Sequence, residues 1–176
     1  MTTSTSPTES PSTVYTRVSY PGELGAPLVH VAYDVPLGWN TDPLPGALAV
    51  SREPVMGPNG FWANVVTSID RVGPSTTLDH VITDIFVTAR DGAVELDLVR
   101  DQVRDVSGTP AVLREQRLQV TTTDIPLVQF VLVLLVDVGD GVARDCVQIT
   151  GTVEQARRDE FAERFLHLVS SVELDL

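Results

Sequence analysis

The chain has 176 residues, 43% hydrophobic and 20% charged, enough for one globular domain that buries a core without disulfide staples. Its 24 acidic side chains face 12 basic ones, all arginine, and the resulting formal charge of -12 repels phosphates and anionic lipid, which excludes nucleic acid and membrane surfaces as expected partners. One cysteine, Cys146, excludes an intrachain disulfide, and the absence of lysine excludes both a Gly-x-x-x-x-Gly-Lys phosphate loop and Schiff-base chemistry.

Residues 1–20 are rich in Ser, Thr and Pro and carry too few apolar groups to offset the entropy of ordering, so a disordered tail is expected to about Tyr20. No apolar stretch of the length a secretory signal needs is present there, and a cytoplasmic location is expected. A single domain, residues 21–176, should follow. Residues 29–35 alternate branched and polar side chains up to Pro36, which reads as a strand ending where the ladder loses its donor. Leu37-Gly38-Trp39 turns the chain and returns Trp39 to the core. A short strand is expected over residues 47–51. After the Gly57-Pro58-Asn59-Gly60 turn, residues 61–72 form a longer strand whose core side carries Phe61, Ala63, Val65, Thr67 and Ile69.

Ser75, Thr76 and Thr77 offer capping hydroxyls ahead of Leu78, Val81, Ile82, Ile85, Phe86 and Ala89, which recur at helical spacing until Asp91-Gly92. Two hairpins follow: residues 94–106 and 111–121 flank Ser107-Gly108-Thr109-Pro110, and residues 125–138 and 142–150 flank Gly139-Asp140-Gly141. The apolar run 125–136 is shorter than the about 20 residues of a membrane helix. It is valine-rich and contains Pro126 and Gln129, so it reads as a central strand buried on both faces, with no membrane insertion. A last helix is expected from about Thr152, with Gln155 completing a capping box and Ala156, Phe161, Phe165, Leu168, Val169 and Val172 on its inner face.

Tyr33-Asp34-Val35-Pro36-Leu37-Gly38-Trp39, then Ala63-Asn64-Val65-Val66-Thr67-Ser68-Ile69-Asp70-Arg71, a helix opened by threonines, and Gly108-Thr109-Pro110-Ala111 between two strands together resemble the LpqN/LpqT family of actinobacterial lipoproteins. The resemblance covers about residues 29–174. It implies the PsbP-like fold, an α+β arrangement in which helices sandwich an antiparallel sheet. It also implies a module without catalysis, since members of that fold are mostly envelope lipoproteins, extrinsic photosynthetic subunits, a GTPase binder and secretion chaperones. The lipoproteins' signal and lipid-accepting cysteine have no counterpart in this sequence.

Trp39, Phe61 and Trp62 stand at turns and strand starts and, with Phe86, could line a groove for a ligand or partner or simply close the core. Asp97, Asp101 and Asp105, with Asp140, Asp145, Glu154, Asp159, Glu160 and Glu163, offer an acidic surface suited to a basic protein partner. His30, His80 and His167 share no ligand spacing, so no metal is expected. Asp137 to Gly141 reads as a hairpin turn rather than a calcium loop, and Cys146 as a small buried thiol. No Gly-x-Ser-x-Gly elbow or Gly-x-Gly-x-x-Gly loop occurs, and no cofactor is implied. The function expected is a non-catalytic protein-interaction module, adaptor or chaperone-like. The alternative is a carrier of a small apolar or sugar ligand between sheet and helix. A third, a hydrolase, would require Asp97, Asp101 and Asp105 to converge in a cleft. The oligomeric state is left open.

Overall fold

The computed structural model describes residues 14–20, 29–120, 122–138 and 141–175. Residues 1–13 of the expected tail lie outside the described residues, but the tail does not reach Tyr20. Tyr15–Tyr20 forms strand β1, paired antiparallel with β2 (His30–Pro36). The backbone N–H of Leu37 donates to the carbonyl of Val14, and the Tyr15 ring stacks on His167. Contacts from both ends of the chain thus supply the ordering energy that the local composition lacks.

β3 (Asn40–Asp42), β4 (Ala49–Arg52) and β5 (Asn64–Val72) lead into α1 (Leu78–Asp91). Helix α1 starts where Thr77, in an extended conformation, accepts a hydrogen bond from the His80 N–H with its side chain. The two expected hairpins follow as β6 (Ala93–Val106) with β7 (Thr109–Val120), and β8 (Leu127–Val138) with β9 (Ala143–Glu154). Strand β9 runs past Thr152, so the last helix does not begin there. Residues 151–154 are held in a ladder by β8, and Thr152 Oγ1 accepts from Gln129 Nε2 at 3.3 Å instead of capping a helix. A 3-10 turn, Gln155–Arg157, then enters α2 (Arg158–Ser170), which lacks a side-chain cap, and β10 (Glu173–Asp175) closes the described chain.

Seven strands form one antiparallel sheet in the order β3-β4-β5-β9-β8-β7-β6, and β1-β2-β10 form a second, small sheet. Strand β8 is interior and buried on both faces, as its composition requires. Val128, Phe130, Leu132, Leu134 and Val136 pack toward Phe161, Phe165, Leu168 and Val169 of α2 and toward Val31, Tyr33 and Val35 of β2. Val131 and Val133 face the other way and join Cys146 under Ile82 of α1. The result is an α+β sandwich with α1 on one side of the sheet and α2 with the small sheet on the other.

The two sides are packed unequally. Over Gly151 the rings of α2 lie so close that an added Cβ would stand 2.6 Å from Phe165 Cδ2 and 2.8 Å from Phe161 Cε1. On the opposite side, Ile82 is the one fully buried residue of α1, while Leu78, Val81, Ile85, Phe86 and Ala89 are half-buried. A helix about 10 Å wide covers about two strands spaced some 4.8 Å apart, so α1 leaves much of its side of the sheet uncovered.

Candidate functional site

Arginines tie α1 to the sheet. Arg144 of β9 donates through Nη1 to the Thr76 carbonyl at 2.9 Å. Arg114 of β7 donates to the Ile82 carbonyl at 3.3 Å and stacks on Phe86. Between the helix body and strands β5, β9, β8 and β7 a cavity of about 560 Å³ remains, within the usual size of a small-molecule site. Val81, Ile85, Ala89 and Val131 form its apolar wall, and Gln116, Gln129, Gln148 and Thr150 rise from the sheet. Asp70 of β5 and Asp84 of α1 also line it.

Strand registers assemble the polar floor. Gln116 lies opposite Gln129, and Gln129 opposite Thr152. Gln116 Nε2 donates to Gln129 Oε1 at 2.9 Å, and Gln129 Nε2 to Thr152 Oγ1 at 3.3 Å. This relay ends in a fully buried Gln116 Oε1 that has no hydrogen-bond partner. Burial raises the Cys146 thiol to about 11, and the nearby Asp70 carboxylate pushes it in the same direction. The thiol, also at the cavity, is therefore a poor nucleophile at neutral pH.

Trp39, Phe61, Trp62 and Phe86 do not form one groove. Trp39 packs on the core beside Phe161, with ring centroids 6.2 Å apart. Phe61 is half-buried and its N–H donates to Glu154, Trp62 is 41% exposed, and Phe86 carries Arg114. None of the four lines the cavity under α1.

The acidic surface is also divided. A register shift between Leu98 and Arg100 moves Asp97 to the opposite side of β6 from Asp101 and Asp105, since each extra residue in a strand reverses the side-chain alternation. Asp101 takes a two-pronged bond from Arg114, at 2.8 and 2.7 Å, and Asp105 accepts the Gly108 N–H in the hairpin turn. The three aspartates do not converge. Glu160 pairs with Arg164 and Arg157 along α2, and Glu163 is exposed. Asp140 lies outside the described residues.

Two carboxylates expected on the surface are interior. Asp145 is fully buried, accepts the Val29 N–H at 2.8 Å and is bound by Arg71. Glu154 accepts from the N–H and side-chain amide of Asn59 and from the N–H of Phe61, fastening the loop before β5. Glu53 and Glu115, also buried, are held by Arg157 and Arg158. Each of these carboxylates is committed to structure. Hydrogen bonds from Arg158 hold the Glu115 carboxyl below the usual glutamate range against the opposing effect of burial.

His30, His80 and His167 are all exposed, and among the described residues no group of three or more His, Cys, Asp or Glu gathers. Among the described residues no helix is long and apolar enough to cross a membrane.

No family model and no curated protein matches the chain. Solved structures do. LpqN, a Mycobacterium tuberculosis protein involved in cell envelope biogenesis, matches with a TM-score of 0.71 at 8% identity, over 92% of each chain. The chain has the LpqN and PsbP fold. The Synechocystis PsbP, CyanoP, matches with a TM-score of 0.60 at 18% identity, over 88% of this chain and 97% of that one. The Ran-binding protein Mog1p of Saccharomyces cerevisiae matches with a TM-score of 0.53 at 10% identity, over 92% of this chain and 96% of its own. At such identities the likeness is one of fold.

Proposed function

We propose that this protein is a non-catalytic interaction module, adaptor or chaperone-like, that receives another protein along the outer edge of β6. What carries the proposal is that edge. β6 is a 14-residue strand at the end of the sheet, bonded among the described strands to β7 alone. It exposes Val94 at 65%, Leu98 at 48% and Val103 at 83%. Unpaired backbone groups flanked by exposed apolar side chains can accept an added strand, and the net charge of -12 favours a basic one. Support also comes from the engagement of the buried carboxylates in structural ion pairs and from the Ran-binding protein that shares the fold.

Affinity capture from native lysate, with wild-type protein beside a V94K/V103K variant, tests this. A specific partner retained by wild type and lost by the variant, with unchanged unfolding, is expected. Failure to recover any specific protein at low and physiological salt, or equal capture by both proteins, would refute it. A second role, carriage of a small ligand, is favoured by the cavity under α1.

A further inference from the structure

We infer that the β6 edge closes on the β6 edge of a second copy of this chain, giving a two-fold dimer with one continuous sheet, which a partner strand must displace. The inference rests on the reading of β6 as an open docking edge and names its occupant between partners. The hairpin decides which backbone groups are free. Asp105 lies opposite Pro110, which has no N–H to give, so that pair is not hydrogen-bonded and Asp105 turns its backbone N–H and C=O away from β7. Alternation carries the same outward direction to Val103 and Asp101, opposite Val112 and Arg114. Among the described strands none lies beyond them.

What selects a second copy is the order of side chains along β6. Antiparallel pairing sets opposite residues on the same side of a sheet, and the bulge decides which residues these are. With a two-fold axis at Asp101 and Val99 left out as the extra residue, Leu98 faces Val103 of the second copy, Asp97 faces Arg104 and Arg100 faces Gln102. Each pair occurs twice. The sides agree: Leu98 and Val103 stand opposite Gln116 and Val112 of β7, while Asp97 and Arg104 stand opposite Arg117 and Ala111 on the other side. Pairing covers Leu98, 48% exposed, and Val103, 83% exposed. It also joins two charges that form no ion pair among the described residues, since Arg104 donates only to Gln102 Oε1, at 2.7 Å. Asp101 meets its own copy at the axis, where like charges would repel, but each is already neutralised by two bonds from Arg114, at 2.8 and 2.7 Å. The neighbouring registers lack this match. An axis at Gln102 sets Arg100 against Arg104, and one at Val103 sets Asp101 against Asp105.

Analytical ultracentrifugation of the full chain tests this. Wild type should show a concentration-dependent equilibrium between 19.1 kDa and twice that mass. Val103→Lys should abolish the dimer. Asp97→Arg and Arg104→Asp should each weaken it about tenfold, because two exposed ion pairs give way to two repulsions. Mixed together, these two charge variants should pair about as tightly as wild type does with itself, since each then supplies the opposite sign at both places. A folding defect in either variant cannot produce that rescue. A chain that stays single up to about 0.5 mM, a dimer indifferent to Val103→Lys, or no rescue on mixing overturns the inference. A single chain that still captures a partner through β6 leaves the docking role standing, whereas a dimer from which no partner is ever captured supports the inference and refutes the docking role alone.

Discussion

Gly151→Ala should destabilise the fold, and its size follows from two opposing effects. The backbone at Gly151 does not lie in the left-handed region, so alanine is conformationally allowed and gains roughly 0.4–1 kcal/mol by restricting the unfolded chain. Against that, the new Cβ would lie 2.6 Å from Phe165 Cδ2, about 1 Å inside a comfortable carbon–carbon contact. The ring has little room to retreat. It packs on Phe130 and Phe161 with centroids 5.7 and 6.3 Å away, and Phe161 in turn meets Trp39. Relief therefore requires α2 to lift from the sheet, an overpacking cost of about 1–3 kcal/mol. Sterics should win by about 1–2 kcal/mol, which lowers the melting temperature by roughly 2–8 °C for a chain of this size. Urea unfolding of G151A, F165L and the double variant checks the cause: the smaller ring should relieve the clash, so the double variant must be more stable than the two single losses summed. A G151A protein as stable as wild type, or strictly additive losses, would refute close packing of α2 as the reason for this glycine.

Glu115 should make the fold acid-sensitive. Its folded pKa is lowered, by Arg158 first, so its contribution is present above the unfolded glutamate value of about 4.3 and is lost as pH falls through the lower folded value; E115Q should flatten that part of the stability-pH curve measured by urea unfolding. Glu154→Ala removes the acceptor of three hydrogen bonds from residues 59 and 61, and should cost at least about 2 kcal/mol while raising hydrogen exchange at residues 57–63 above that of β8. Cys146, its thiol pushed up to about 11, should resist alkylation near neutral pH in the native protein and react promptly once unfolded in about 8 M urea; fast labelling of the native protein, read by mass spectrometry, would contradict the burial assigned to it.

What the sequence determined by itself is most of the elements, β2, β4 to β9 and the two helices, and the double burial of β8, whereas the short strands β3 and β10 were not among the expected elements. The apolar alternation of β2 and β5, the turn residues of the two hairpins, the threonine opening of α1 and the valine run of β8 are local signals, set by propensity and period, and each marks its element, although β5 begins at Asn64 and not at residue 61. Three features depended on partners distant in sequence. β1 is a strand because β2 pairs with it, despite a composition poor in apolar residues. β9 runs through Thr152 because β5 and β8 bond it on both sides, which outweighs a local capping pattern. Asp97 leaves the side of Asp101 because of a bulge that no alternation count reveals.

The candidate site was the least legible part for the same reason. Gln129 stood out as a polar residue within an apolar run, but Gln116 lies in a charged stretch and gives no sign of burial. Strand register alone sets the two opposite each other, and the narrowness of one helix on a broad sheet opens the cavity above them. Periodicity reports which side of its own element a residue occupies; which neighbour it meets there is decided only when strands pair and layers pack.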